Sequence, residues 1–113
     1  MMTSHLTTHV LDASAGRPAA GIDVLLERRD GAGWTEIASG TTNDDGRIGE
    51  LGPDRLETGT YRLTFAVADY FAATGTPTFY PEITVTFAVD VGQQHYHVPV
   101  LLSPFAYSTY RGS

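Results

Sequence analysis

Apolar side chains fall at every second position in one segment after another, and this period of two most tightly limits what the chain can become. From Thr60 to Val67, Tyr61, Leu63, Phe65 and Val67 alternate with Arg62, Thr64 and Ala66. From Glu82 to Val89, Ile83, Val85, Phe87 and Val89 repeat the pattern. Successive side chains of a strand point to opposite faces, so each run offers one face to a core. Leu6 to Leu11 and Ile22 to Arg29 read the same way, with Leu6, Thr8 and Val10 on one face of the first and Ile22, Val24 and Leu26 together in the second. Asp30-Gly-Ala-Gly33 is a hairpin signal, and Trp34 to Ser39 returns from it.

Turn residues separate the runs. Asp12 to Gly21 is rich in Gly, Pro and Ala and reads as a turn region throughout. Asn43-Asp-Asp-Gly46 supplies residues that tolerate positive φ, with a short strand expected at Arg47 to Gly49. Gly52-Pro53, Pro77, Pro81 and Asp90 to Gly92 break the chain again. Only Ala68 to Thr74 departs from period two; Asp69 as N-cap and Gly75 after the end predict one or two helical turns over Tyr70 to Ala73. The sum is an all-β antiparallel sandwich of about eight short strands with one short helix.

At 113 residues the chain forms one domain, 1–113, able to bury about 65% of its unfolded surface. A formal net charge of −6 argues against nucleic acid as a partner. There is no cysteine, so thiolate nucleophiles, disulfides and zinc–thiolate sites are excluded. No apolar run approaches a membrane span, and Met-Met-Thr-Ser-His lacks the basic and apolar regions of a secretory signal. The expected location is the cytoplasm. No Gly-x-Ser-x-Gly elbow or phosphate-binding glycine loop occurs, and the acidic residues suggest no carboxylate pair.

The last nineteen residues are unusual. A C-terminus is commonly frayed and polar, but His95 to Ser113 stays aromatic and apolar almost to its end. Two strand-like runs flank Ser103-Pro104. Tyr96, Val98, Val100 and Leu102 read as core-facing; His95, His97, Pro99 and Leu101 share a face that is neither plainly wet nor plainly core. Ser108, Tyr110 and Gly112 share a face of the second run. His95 and His97 have spacing that suits a metal on a strand, but further ligands are lacking, and interface polarity is the plainer reading. No metal and no cofactor are expected. His9, with Thr7 and Leu11, points away from the Val10 face; a lone strand histidine is more often structural than functional. Arg47 on its own reads as a solvated arginine.

Three stretches change those readings. Leu6-Thr-Thr-His-Val-Leu-Asp-Ala-Ser-Ala-Gly-Arg-Pro-Ala-Ala-Gly-Ile22, Thr42-Asn-Asp-Asp-Gly-Arg47 and the His95–Ser113 segment resemble the signatures of the 5-hydroxyisourate hydrolases, the enzymatic branch of the transthyretin family. The resemblance spans nearly the whole chain. Its most specific part is the ending Tyr110-Arg111-Gly112-Ser113, which hormone-binding transthyretins lack. It implies a transthyretin-like sandwich assembled as a homotetramer, a dimer of dimers around a central channel. It implies catalytic roles for His9, Arg47 and His97, and substrate contacts from Ser108, Tyr110, Arg111, Gly112 and Ser113. The implied reaction is opening of the lactam ring of 5-hydroxyisourate by water to 2-oxo-4-hydroxy-4-carboxy-5-ureidoimidazoline, a step of urate breakdown. One of His9 and His97 would be the general base, and a guanidinium such as Arg47 presents a charged fork to a planar acidic ring. Which histidine is the base, and what His5 and His95 do, stay open at this level. A carrier of small aromatic molecules in the same channel is the competing reading, and a purely structural sandwich is the third.

Overall fold

The computed structural model describes residues 4–90 and 92–112. Among them are nine strands in two layers: β1 (Leu6–Asp12), β2 (Arg17–Pro18), β3 (Asp23–Asp30), β4 (Gly33–Thr41), β5 (Arg47–Ile48), β6 (Gly59–Phe65), β7 (Ile83–Val89), β8 (Tyr96–Ser103) and β9 (Ala106–Thr109). One helix, α1 (Val67–Ala72), follows β6. One sheet runs β2-β1-β8-β9, with β5 also paired to β1; the other runs β4-β3-β6-β7.

The period-two reading holds in detail. Leu6, Val10, Val98, Val100 and Leu102 from the first sheet meet Val24, Leu26, Leu63, Phe65 and Ile83 from the second, all buried. Full burial of such a side chain is worth about 1.5–3 kcal/mol, so this double layer is the principal source of stability. Thr8 faces the same core and satisfies its hydroxyl on the Val98 carbonyl at 2.6 Å. His5 is likewise buried: its Nδ1 accepts the Leu56 N–H at 2.9 Å and its Nε2–H donates to the Gln93 carbonyl at 2.7 Å. Both ring nitrogens are thereby used in tying β1 to two loops, a structural role.

Three local expectations are corrected. First, β1 and β8 run parallel, Thr7 beside His97 and His9 beside Pro99, in an otherwise antiparallel molecule. Alternation tells which face of a strand is buried but not the direction of its neighbour. Second, Asp12 to Gly21 is not all turn. Asp12 Oδ1 accepts the N–H groups of Ser14 and Ala15, both at 3.0 Å, and Gly16 takes φ +69. The chain therefore folds back and pairs Arg17 and Pro18 with Asp12 and Leu11; Pro18 sits on a sheet edge, where its missing N–H costs little. Third, β6 stops at Phe65 and Val67 begins the helix, with Ala66 rather than Asp69 at the N-cap and no side-chain cap. The Ala68 N–H donates to the Pro81 carbonyl at 2.9 Å instead, so the first turn is satisfied by the main chain. Asp69 lies within that turn, where its charge suits the helix dipole.

No helix is long and apolar enough to cross a membrane among the described residues.

Candidate active site

The outer face of the first sheet gathers most of the residues singled out by sequence. In a ladder, directly paired residues project to the same side. His9 pairs with Arg47 across β1–β5 and with Pro99 across β1–β8. Thr7 pairs with His97, and His97 forms an isolated antiparallel bridge to Gly112. The β8–β9 register, with Leu101 opposite Ser108, runs on unchanged to that bridge and sets Tyr110 opposite Pro99. Arg47, His9, Pro99 and Tyr110 thus form one row across the sheet, with Thr7, His97 and Gly112 in the next. At about 4.8 Å per strand, a row of four spans about 14 Å, the scale of a bicyclic ligand.

Local hydrogen bonds aim the two imidazoles. The His9 Nε2–H donates to the Asp45 carbonyl at 2.9 Å. A carbonyl can only accept, so His9 carries its proton on Nε2 and keeps a lone pair on Nδ1 when neutral. The Asp45 carbonyl is held in turn by Asn43, whose Oδ1 accepts the N–H groups of Asp45 at 2.9 Å and Arg47 at 3.0 Å. One side chain thereby orders the turn that presents both His9's partner and Arg47. Gly46 closes the turn at φ +75; a Cβ there would stand 2.3 Å from the Val10 carbonyl, so only glycine fits.

His97 is half-buried, and its Nδ1 lies 2.8 Å from Thr7 Oγ1. Burial, then the charges of Arg47, His95 and His9, hold its pKa below the ordinary histidine value; a hydrogen bond to the Thr7 main chain works the other way. His97 is therefore neutral at neutral pH and able to accept a proton. Arg47 is exposed, and neither ion pair among the described residues involves it, so its guanidinium is available to an anionic ligand.

The tail continues the sheet over His97. The Gly112 N–H donates to the His97 carbonyl at 2.8 Å, and a Cβ on Gly112 would lie 2.5 Å from His97 Cδ2. Tyr110 and Ser108 are exposed on the same face. Arg111 is turned the other way: its guanidinium lies 4.9 Å from the Tyr96 ring centroid and its Nη2 donates to Gln93 Oε1 at 3.4 Å. It holds the tail from the core side rather than joining His9 and Arg47. Ser113 lies outside the described residues. Thr7 and Asn43 are the site residues that sequence reasoning passed over. Thr7 shares a strand face with His9, but its contact with His97 depends on the β1–β8 pairing.

A cavity of about 270 Å³ opens beside this tail, between β7 and β8, lined by Phe87, Tyr96, His97, Val98, Tyr110 and Arg111 among others. It adjoins His97 and Tyr110 and reaches neither His9 nor Arg47. The row of site residues instead lies on an open sheet face, which a second surface would have to cover to exclude water. Among the described residues no three His, Cys, Asp or Glu side chains converge as metal ligands.

The sequence model of the HIUase/Transthyretin family matches residues 6–112. The chain is 46% identical over 109 residues to the 5-hydroxyisourate hydrolase of Salmonella typhimurium, covering 96% of this chain and 80% of that one. The structure of Klebsiella pneumoniae 5-hydroxyisourate hydrolase superposes with a TM-score of 0.86 at 37% identity, covering 97% of this chain and all of that one. Transthyretin from Sparus aurata superposes with a TM-score of 0.91 at 32% identity, covering 96% of each chain.

Proposed function

The chain belongs to the HIUase/Transthyretin family, and from that premise we propose that it is a 5-hydroxyisourate hydrolase. The observation that carries this reading is the alignment of Arg47, His9 and Tyr110 in one row beside a neutral His97. A carrier of small aromatic molecules needs a channel but has no use for a basic imidazole next to an unpaired guanidinium.

His97 is the general base. Its depressed pKa leaves it unprotonated near neutrality, and it takes a proton from the attacking water. The water oxygen bonds to a ring carbonyl carbon, and negative charge develops on the carbonyl oxygen. Arg47 stabilises that charge and grips the acidic ring with its fork of N–H donors. His9, fixed through Nε2 by Asp45, orients the water through Nδ1. Collapse of the tetrahedral adduct breaks the lactam C–N bond, and His97 returns the proton it took from water to the leaving nitrogen. The product is 2-oxo-4-hydroxy-4-carboxy-5-ureidoimidazoline. Tyr110 and Ser108 flank the substrate ring from the tail side, and Gly112 lets the tail pack closely against the His97 imidazole. Arg111 anchors the tail.

We also propose a homotetramer whose subunits close the open site face. Phe79 is 70% exposed and Phe105 66%, and Tyr80 stacks edge-on against both Phe79 and Tyr107. Such an aromatic cluster is costly to leave in water and suits burial against another copy. Light scattering on the purified protein reads the assembly directly.

The reaction is tested by product analysis in H2¹⁸O. Mass spectrometry of the product should find one ¹⁸O in the new carboxylate, formed at an enzyme-dependent rate. Recovery of the label only at the spontaneous rate would refute the assignment.

A further inference from the structure

The proposed reaction uses His97 as a base without saying what selects the nitrogen that carries its lone pair. Thr7 Oγ1 lies 2.8 Å from His97 Nδ1 and 3.1 Å from His95 Nε2. The two imidazoles are nearly parallel, 14° apart in plane and 6.4 Å between centroids. A hydroxyl has one proton: it donates to one nitrogen and must accept from the other. Two ordered chains are open to it. In one, His97 Nδ1–H donates to Thr7, and Thr7 O–H donates to His95 Nε2; His97 Nε2 is then a lone pair. The reverse chain places the His97 proton on Nε2 and removes the base.

We propose that Thr7 and His95 are positioning residues for the hydrolysis, Thr7 holding His97 as its Nδ1–H tautomer and linking it to His95 as a proton store. The inference rests on the reading of His97 as the base. The charged and titratable groups acting on His97 are Arg47, His9 and His95, all of which disfavour a net positive charge on it, while Gly112 above the ring brings none. His95 is exposed, so a positive charge there is hydrated.

The proton count closes. As water bonds to the carbonyl carbon, its proton goes to His97 Nε2. The Nδ1 proton passes to Thr7 Oγ1, and the Thr7 proton passes to His95 Nε2. His97 stays neutral, His95 becomes imidazolium, and the adduct carries the matching negative charge. On collapse the sequence reverses: Nε2–H protonates the leaving nitrogen, Thr7 returns a proton to Nδ1, and His95 returns one to Thr7.

The test is ring ¹⁵N NMR of the free protein across pH, joined to steady-state kinetics. In the wild type His97 should show the Nδ1–H tautomer. Thr7→Val should shift His97 towards Nε2–H and lower kcat by about 10- to 100-fold, with KM changed less than about twofold. Thr7→Ser should restore the tautomer and kcat. A purely structural threonine would lower the melting temperature and leave the tautomer alone. An unchanged His97 tautomer in Thr7→Val would overturn the proposal. The NMR arm needs no substrate, so a Thr7-dependent Nδ1–H tautomer in a protein that does not turn over 5-hydroxyisourate would instead refute the substrate assignment and keep the hydroxyl bridge.

Discussion

Gly112 lies against the ring of His97: its N–H donates to the His97 carbonyl at 2.8 Å, and a single added methyl would come within 2.5 Å of His97 Cδ2. That is closer than a Cβ tolerates, so either the tail or the imidazole has to move. Gly112→Ala should therefore lower kcat/KM by about 10- to 100-fold, the scale of a misplaced catalytic group. The tail is peripheral to the core, so the melting temperature should change by only a few degrees. Wild-type turnover by Gly112→Ala would show that the tail does not fix the site.

The acid limb of the rate should fall at lower pH than free imidazole. His97 must be neutral to act, and burial followed by Arg47 lowers its pKa from the ordinary 6.5. Activity is then retained as pH drops below 6.5 and lost as it passes through the lowered value. Stability follows the same sign: a depressed histidine pKa contributes above 6.5 and is lost as pH falls through the folded-state value. In Arg47→Met, NMR should show the His97 midpoint moving up. An unmoved midpoint would contradict the electrostatic role given to Arg47.

Asn43 should matter to catalysis without touching the ligand. Its Oδ1 holds the N–H groups of Asp45 and Arg47, and the Asp45 carbonyl holds His9. Asn43→Ala should loosen both catalytic groups and cut kcat by about tenfold, as expected for orienting partners. Asn43→Asp preserves the accepting oxygen and should retain most of the rate. Equal losses in the two variants would argue against orientation as the cause.

Acid stability has a second source at the other end of the sheet. Burial raises the Asp12 pKa, but hydrogen bonds from Ser14, Tyr70 and Ala15 outweigh it and hold the carboxyl below 3.8. Tyr70, bonded to Asp12 at 2.7 Å, is pushed up to about 12, mainly by burial and then by that carboxylate. The contribution of Asp12 is present above 3.8 and lost as pH falls through the lowered value. Tyr70→Phe should cost about 1.5–3 kcal/mol at neutral pH, the range for a hydrogen bond to a charged group. Denaturant titration at pH 7 checks this, and a cost under a few tenths would deny the contact a stabilising role.

The layers of the fold were readable because alternation reports burial directly: Leu6 to Leu11, Thr60 to Phe65 and Glu82 to Val89 all turned the expected faces inward. What alternation cannot report is strand order. The parallel β1–β8 pairing brings Thr7 beside His97, and a threonine on a strand otherwise reads as a β-branched filler. The Asp45 carbonyl leaves no mark in a sequence because every residue has one. Arg111 was grouped with its neighbours in the tail, yet its position on the other side of the strand sends it to Tyr96. The helix start shifted for a similar reason, since the acceptor for its N–H is the distant Pro81 carbonyl.

The central claim is tested most directly by ultraviolet decay of 5-hydroxyisourate, generated in the cuvette from urate by urate oxidase. The wild-type protein should accelerate the decay well above the spontaneous rate. His97→Ala and His9→Ala, shown to be folded by circular dichroism, should fall by about 10²- to 10⁴-fold, the usual range for loss of general acid–base catalysis. Decay at the spontaneous rate with folded wild-type protein, or full turnover by both variants, would contradict the account.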